Sequence, residues 1–313
     1  MTEPAIQIEG LRKVYRGLGG RIAALDGLDL TVPTGGIHGF LGPNGAGKTT
    51  TLRLLLGLTR PSSGTMHMLG QPLPDRLLDV IDNVGALIEG PLFSRSISGR
   101  KNLQLLARSM GRPVKVVDTA LEQVGLGKDA KRSFRSMTTA QQQRLGIASA
   151  LIKDASLVLL DEPTDSLDPA DMDNFRSILR ELNDRGTTVL LSSHDLAEVQ
   201  QLCTTVSIIG DGKLLAEGKV EDLVGERAAR TAVRVDSPDQ ALSLLEKALY
   251  DVHRDGDMLV VQGHERPEEI TKILAQAGLF VSELSAIRPN LHDYYLELTG
   301  HEPREDPREE VAP

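Results

Sequence analysis

Residues 42–49, with the sequence GPNGAGKT, constrain the fold of this chain more than any other segment. They match the pattern G-x-x-x-x-G-K-[S/T], in which glycines let successive backbone N–H groups face the oxygens of a phosphate. The apolar segment before them predicts a buried strand at 37–41, and the segment after them predicts a helix at 49–58. A phosphate would meet the positive end of this helix and the Lys48 ammonium. The residues predicted to bind phosphate are Gly42, Pro43, Asn44, Gly45, Ala46, Gly47, Lys48, Thr49 and Thr50.

Other apolar segments predict further strands that are buried on both faces, at 157–160 and 187–191. Segments with helical periodicity lie between the strands, for example at 103–110 and 173–183. Buried strands separated by helices are typical of a mostly parallel sheet with helical layers, so the predicted fold class is α/β. A length of 313 residues with 40% hydrophobic residues allows one large and one small domain.

The C-terminal part of the chain, at 229–300, predicts a separate α+β domain. Its elements follow in the order strand, helix, strand, strand, helix, strand, which is the order of the ferredoxin-like fold. The predicted segments are 232–235, 239–249, 250–254, 258–262, 267–277 and 279–287, with a short closing helix at 291–298. Residues 301–313 are rich in proline and glutamate without periodicity, and they predict a disordered tail.

The chain is acidic overall, with a formal net charge of −9 at pH 7. Because phosphate backbones are bound mainly by Lys and Arg, this charge argues against a nucleic acid as partner. No apolar stretch approaches the ~18 residues of a membrane-spanning helix, and the first residues show no secretory leader. A single cysteine, Cys203, is typical of a reducing compartment. We therefore expect a cytoplasmic protein.

Two acids end the predicted strand at 157–160. Asp161 is placed to hold Mg²⁺ together with the Thr49 hydroxyl. Glu162, the next residue, is placed to polarise an attacking water as a general base. A strand that ends in solvated acids is common in isolation, but after a phosphate-binding loop the pair indicates a nucleoside triphosphatase.

Together these motifs resemble the ATPase cassette of an ABC transporter, over residues 5–223. Residues 161–169 (DEPTDSLDP) resemble the Walker B motif and D-loop of that family, and residues 192–195 (SSHD) resemble its H-loop. Residues 143–148 (QRLGIA) match the helix that follows the family's signature motif. The resemblance implies a P-loop fold of the ABC type with a helical subdomain at about 90–150, and it implies ATP and Mg²⁺ as ligands.

The resemblance also implies roles for single residues, each with a simpler alternative. His194 would contact the γ-phosphate, and otherwise would be a capping or core histidine. Tyr15 would stack on adenine, and otherwise would be a half-buried tyrosine in a strand. Asp168 would help to join two cassettes, and otherwise would cap a helix ahead of Pro169.

One departure from the family pattern lies in the loop that joins the core to the helical subdomain. Most cassettes have a glutamine there, whereas this chain has Glu89, as is usual in bacitracin- and lantibiotic-type exporter cassettes. A carboxylate still binds Mg²⁺ through oxygen but donates no hydrogen bond. The alternative for Glu89 is a solvated loop acid.

A second departure lies in the signature motif, normally LSGGQ, which residues 137–141 replace with MTTAQ. Thr138 keeps a hydroxyl and Gln141 keeps the amide for a partner's nucleotide. Thr139 and Ala140, however, place side chains where the backbone should approach closely. We therefore expect intact ATP binding, with hydrolysis that is slow or depends on partners.

These inferences favour the ATP-hydrolysing subunit of a bacterial exporter of drugs, antibiotics or similar amphiphilic compounds, at the inner face of the cell membrane. The resemblance implies a separate transmembrane permease subunit and a head-to-tail dimer with a second copy or a related cassette. The C-terminal domain resembles the accessory domain of drug-export cassettes. One alternative is a soluble ABC ATPase on ribosomes or DNA, against which the acidic charge argues. Another is a regulatory subunit with little turnover, against which Glu162 and His194 argue.

Overall fold

The computed structural model describes residues 3–17, 20–165, 167–225, 230–262, 267–287 and 290–299. These residues form two compact units, of which the first ends at Val220 and the second begins at Glu221. The segment 301–313, predicted to be disordered, lies outside the described residues. Among the described residues, no helix is long and apolar enough to cross a lipid bilayer.

The first unit is built around a six-stranded sheet. The strands of this unit are β1 (Ile6–Gly17), β2 (Gly20–Val32), β3 (Ile37–Leu41), β4 (Ser63–Met68), β5 (Gln71–Leu73), β6 (Val84–Leu87), β7 (Leu157–Asp161), β8 (Thr188–Ser193), β9 (Thr205–Gly210) and β10 (Lys213–Lys219). The sheet has the order β10-β9-β3-β8-β7-β6, and its neighbours are parallel except β9 and β10. Every residue of β3, β7 and β8 is buried. The predicted α/β fold with a mostly parallel sheet is therefore confirmed.

The helices up to residue 225 are α1 (Lys48–Leu55), α2 (Leu77–Val80), α3 (Gly99–Ser109), α4 (Lys115–Gln123), α5 (Thr139–Leu151), α6 (Pro169–Asp184), α7 (Leu196–Leu202) and α8 (Val220–Gly225). Helix α1 ends at Leu55 and not at residue 58 as predicted. Gly57 adopts a left-handed φ of 67°, and its N–H donates to the Leu54 carbonyl at 3.0 Å. The left-handed Gly57, which lies four residues before Pro61, therefore ends the helix.

A second sheet of the first unit, with the order β2-β1-β4-β5, is antiparallel and is not among the predicted elements. A register shift interrupts β1 between Ile8 and Leu11, and such a shift breaks the alternation that would reveal a strand in the sequence. Ile8 and Leu11 belong to the same apolar core as Phe40 of β3 and Leu52 of α1. The second sheet therefore supports the loop that connects β3 to α1.

The segment 90–150, predicted to be helical, contains α3, α4 and α5, which pack against one another. Ser98 caps α3 by accepting a hydrogen bond from the Lys101 N–H. The rings of Phe93 and Phe134 meet edge to face, with centroids 5.5 Å apart. The predicted helix at 103–110 is thus the later part of α3.

The second unit follows the predicted order of elements. They are β11 (Arg230–Val235), α9 (Pro238–Lys247), β12 (Val252–Asp255), β13 (Met258–Gln262), α10 (Pro267–Gln276), β14 (Val281–Ile287) and α11 (Leu291–Thr299). The sheet has the order β12-β13-β11-β14, and all its pairs are antiparallel. Its core joins strand residues such as Val233 and Leu259 to Leu245 of α9 and Ile270 of α10.

Candidate active site

The loop between β3 and α1 has two positions where only glycine fits. A Cβ at Gly42 would lie 2.5 Å from the Ile209 carbonyl oxygen. Gly47 has a left-handed φ of 108°, and a Cβ there would lie 2.8 Å from the Ala24 carbonyl oxygen. Both contacts are with backbone, which cannot move aside as a side chain can. The loop is therefore held in a shape in which its N–H groups can surround a phosphate.

Lys48, the first residue of α1, is buried with 5% of its surface exposed. Its ammonium group donates to the carbonyl oxygen of Gly42 and lies 2.9 Å from Oε1 of Glu162. The cation is thus directed at the loop and at the end of β7. This position places it beside any phosphate that the loop binds.

Asp161, the last residue of β7, is linked to α1 and to β8. Its Oδ1 accepts hydrogen bonds from the Ser192 hydroxyl at 2.7 Å and from the Thr49 hydroxyl at 3.2 Å. Burial raises the pKa of the Asp161 carboxyl above its ordinary value, although these two hydrogen bonds oppose the shift. A carboxylate and a hydroxyl are hard oxygen ligands of the kind that Mg²⁺ prefers, so the pair fits this ion.

Glu162 and His194 form the next pair. The Nδ1 nitrogen of His194 lies 3.1 Å from Oε2 of Glu162 and 3.9 Å from Oδ1 of Asp165. Burial acts to raise the pKa of Glu162, but the hydrogen bond with His194 and the charge of Lys48 outweigh it, so that this pKa is lowered. The same hydrogen bond raises the pKa of His194. Glu162 is therefore held as a carboxylate whose orientation depends on both neighbours.

Five of the predicted residues thus lie together, at the edge where the parallel strands β3, β7 and β8 end. Carboxyl ends of parallel strands are the usual position of ligand sites in such sheets. The five are Lys48, Thr49, Asp161, Glu162 and His194.

Two other predicted residues have partners of a different kind. Glu89 has a left-handed φ of 58° and forms an ion pair with Arg53, in the last turn of α1. Tyr15 is 37% exposed, and the Lys13 ammonium lies 4.8 Å from its ring centroid. The predicted contact of Glu89 with Mg²⁺ and that of Tyr15 with adenine stay predictions.

Thr138 and Gln141 bind each other at the start of α5. The Gln141 N–H donates to the Thr138 hydroxyl at 3.2 Å, and the Thr138 N–H donates to the Gln141 side chain at 3.1 Å. This reciprocal pair is a capping box. Asp168 likewise caps α6, accepting from the Asp171 N–H at 2.8 Å, which is the simpler of the two roles considered for it.

Ser192 is a residue of the site to which the sequence assigned no role. Its hydroxyl donates to Asp161 and accepts from the Glu162 N–H at 3.0 Å. Only the strand register would have revealed a role for Ser192, because it pairs this residue on β8 with Asp161 on β7. Neighbouring strands are far apart in the chain, and a single sequence does not reveal their register.

Comparison with known proteins gives concordant results. Residues 25–165 match the family model of the ABC transporter. The chain is 33% identical to the bacitracin transport ATP-binding protein BcrA of Enterococcus faecalis, covering 96% of this chain and 98% of that protein. It is 34% identical to the daunorubicin/doxorubicin resistance ATP-binding protein DrrA of Streptomyces peucetius, covering 99% of this chain and 98% of that protein.

Solved structures show the same fold. A dimeric ATP-binding cassette in a post-hydrolysis state, bound to ADP and phosphate, is similar with a TM-score of 0.63 and 24% sequence identity. The similarity covers 68% of this chain and 98% of that chain.

Proposed function

This chain belongs to the ABC transporter family of ATP-binding proteins, and we propose that it is the ATP-hydrolysing subunit of an exporter of antibiotics, drugs or similar amphiphilic compounds. The observation that carries the proposal is similarity over nearly the full chain, 96% and 99% of it, to proteins named for bacitracin transport and for daunorubicin resistance. Enzymes of this family hydrolyse ATP, and the proposal is supported by the cluster of polar side chains at the ends of β3, β7 and β8, in which Lys48 and Asp161 are buried and which has the kinds of group that this reaction uses.

The phosphate groups of ATP would lie in the loop 42–49, against its N–H groups and the Lys48 ammonium. In the structure described here Lys48 is paired with Glu162 at 2.9 Å. Phosphate oxygens would therefore draw Lys48 away from Glu162 and free the carboxylate to face water. Thr49 and Asp161 would hold Mg²⁺, whose charge neutralises that of the phosphate oxygens.

Glu162 would act as the general base. Its lowered pKa keeps it ionised at neutral pH, so it can accept a proton from water as the water oxygen attacks the γ-phosphorus. The bond from that phosphorus to the bridging oxygen breaks, which yields ADP and inorganic phosphate. His194 uses Nδ1 to orient Glu162 and would contact the γ-phosphate through Nε2 on the other side of the ring.

The remaining predicted residues would act across a head-to-tail dimer. Thr138 and Gln141 would face the nucleotide bound to the second cassette, and Asp168 would lie at the junction. A closed dimer contacts both faces of the nucleotide and an open one does not, so ATP would shift the population toward closure. A separate permease in the cell membrane would respond to this movement.

Tyr15 and Glu89 would complete the nucleotide site of the same chain. Tyr15 would stack on adenine, and Glu89 would reach Mg²⁺ after leaving its ion pair with Arg53. That ion pair is half exposed, and exposed pairs contribute only about 0–1 kcal/mol. The free-energy cost for Glu89 of leaving Arg53 to reach Mg²⁺ would therefore be small.

Comparison of wild type with Glu162→Gln tests the proposed chemistry. We expect kcat to fall by about a hundredfold or more, because the amide accepts no proton, while the affinity for Mg·ATP is kept. Glu122→Gln, an exposed substitution on α4, is the matched control and should leave kcat unchanged. Turnover equal to that of wild type in Glu162→Gln would contradict the proposed role.

The export role needs a cellular test. Cells that express the chain with its membrane subunit should tolerate more bacitracin or daunorubicin than cells that express Lys48→Ala in its place. A wild-type chain with low turnover that is unchanged by Glu162→Gln would instead favour the regulatory alternative, for which the altered segment 137–141 is the supporting observation.

A further inference from the structure

Glu198, on α7, is a buried carboxylate that the mechanism above does not use. Only 5% of its surface is exposed. Its Oε2 accepts hydrogen bonds from two buried hydroxyl groups, that of Thr164 at 2.7 Å and that of Ser193 at 3.1 Å. A single oxygen atom thus links the segment after β7 to the end of β8, beyond the point where Ser192 joins the two strands through Asp161 and Glu162.

These two segments carry the proposed base and its partner. Thr164 follows Glu162 with only Pro163 between them, and Ser193 directly precedes His194. The Pro163 ring restricts the backbone, and its carbonyl oxygen accepts from the Gln143 side chain at 3.0 Å. A displacement of Thr164 relative to Ser193 would therefore change the 3.1 Å contact between Glu162 and His194.

Helix capping does not account for Glu198. A glutamate at the third position of a helix often reaches back to the N–H of the capping residue. Here that N–H, of Asp195, donates to the Ser193 hydroxyl at 3.0 Å. Asp195 in turn caps α7 by accepting from the N–H groups of Ala197 and Glu198. The helix start is complete without the Glu198 carboxylate.

The carboxylate is also costly to bury. Oε1 has no hydrogen-bond partner among the described residues. Burial raises the pKa of Glu198 to about 6, against the hydrogen bonds from Thr164 and Ser193, and the charges of Asp195 and Glu162 add to the increase. Replacing buried polar groups by apolar ones of the same shape is often neutral or stabilising, so stability alone does not explain the residue.

We propose that Glu198 is a positioning residue for ATP hydrolysis, which holds the Glu162 and His194 segments at their working separation by accepting hydrogen bonds from Thr164 and Ser193. The proposal rests on the roles proposed above for Glu162 and His194. Because Glu198 is buried and its carboxylate accepts hydrogen bonds from Thr164 and Ser193, we expect it to act on the rate of hydrolysis and not on the binding of ATP.

The test compares Glu198→Ala, Glu198→Gln and the control Gln201→Ala in the full chain, where Gln201 is exposed on the same helix. For each we would measure kcat, the dissociation constant of Mg·ATP and Tm. We expect Glu198→Ala to lower kcat by about tenfold or more, since small misplacements of catalytic groups cost that much, with unchanged nucleotide affinity. Glu198→Gln keeps an acceptor oxygen and should restore kcat to within about twofold, and Gln201→Ala should behave as wild type.

Two outcomes would overturn the proposal. They are a folded Glu198→Ala protein with wild-type kcat, and a Glu198→Gln protein as slow as Glu198→Ala. If Glu198→Ala does not fold, Thr164→Val removes one donor at nearly constant shape and should lower kcat with unchanged affinity for Mg·ATP, and unchanged kcat there would refute the proposal. Glu162→Gln separates the failure of this inference from the failure of the proposed function. Wild-type turnover in Glu162→Gln would contradict the role of Glu162 as general base. Loss of turnover in Glu162→Gln together with wild-type turnover in the Glu198 variants would contradict only the positioning role of Glu198.

Discussion

The two polar regions implied in nucleotide binding differ in how their hydrogen bonds are satisfied. At the ends of β3, β7 and β8, the side chains of Lys48, Asp161, Glu162 and His194 contact residues from other elements of the chain. In the segment 137–141, Thr138 and Gln141 satisfy each other within one helical turn. The first region is thus organised by tertiary structure, and the second by local structure alone.

This difference indicates that a single chain assembles the first region by itself, whereas the second region is the start of helix α5. Thr138 and Thr139 are exposed, and the N-terminus of α5 carries the positive end of the helix dipole. In the proposed head-to-tail dimer, a second copy would bring this helix start to the nucleotide. Substitutions in the first region should therefore act in the isolated chain, and those in the second only where two cassettes meet.

The largest expected effect is that of Lys48→Ala. The ammonium is the buried cation of the phosphate loop, and its loss removes charge stabilisation that is worth about a hundredfold or more in rate. We expect loss of ATP hydrolysis and a large increase in the dissociation constant of Mg·ATP, measured by equilibrium binding. Lys115→Ala, at an exposed position on α4, should leave both unchanged. Persistent binding and turnover in Lys48→Ala would contradict the organised cluster described above.

An intermediate effect is expected for the double substitution Thr139→Gly and Ala140→Gly. Removing these side chains should allow closer approach of the backbone to a partner's nucleotide, and we expect kcat at saturating ATP to rise by about threefold, equivalent to about 0.7 kcal/mol in the barrier. Thr138→Ala removes the hydroxyl from the same segment and should lower kcat. Equal or lower turnover in the folded double variant would show that the side chains do not obstruct the dimer.

Local signals predicted the parts of the fold and site that depend on short segments of chain. The predicted strand at 37–41 has the same bounds as β3. A mostly apolar segment followed by a glycine-rich turn is sufficient to show where such a buried strand ends. The Thr49 hydroxyl and the Asp161 carboxyl meet as expected, at 3.2 Å. Both follow from motifs whose residues are fixed relative to their own strand or helix.

Long-range contacts outside the nucleotide-binding motifs could not be predicted, for physical reasons. The segment HDLAEV around Glu198 has the pattern of an exposed helix start, and only the packing of α7 buries the carboxylate. The ion pair of Glu89 with Arg53 likewise joins residues that no local motif connects. Contacts between side chains of different helices and strands depend on strand register and on packing. The periodicity of a single sequence does not reveal either of these.

The smallest expected effect concerns the pH dependence of stability at the pair Glu162 and His194. The folded-state pKa of His194 is raised by Glu162, so the contribution of the charged imidazole is present below about pH 6.5 and is lost as pH rises through the raised value. The pKa of Glu162 is lowered, so its contribution is present above about pH 4.3 and is lost as pH falls through the lowered value. The stabilisation by the pair should therefore be greatest near pH 6 and weaker at pH 9.

His194 is 47% exposed, and screening by solvent limits the size of this effect on stability. We expect Tm of wild type to exceed that of His194→Gln by about 1–3 °C at pH 6, and by less at pH 9. His67→Gln, at an exposed site on β4, should show no such trend in scanning calorimetry. A difference between wild type and His194→Gln that stays constant from pH 6 to pH 9 would mean that the contact is not maintained in solution, and the organised region would then depend on nucleotide as well.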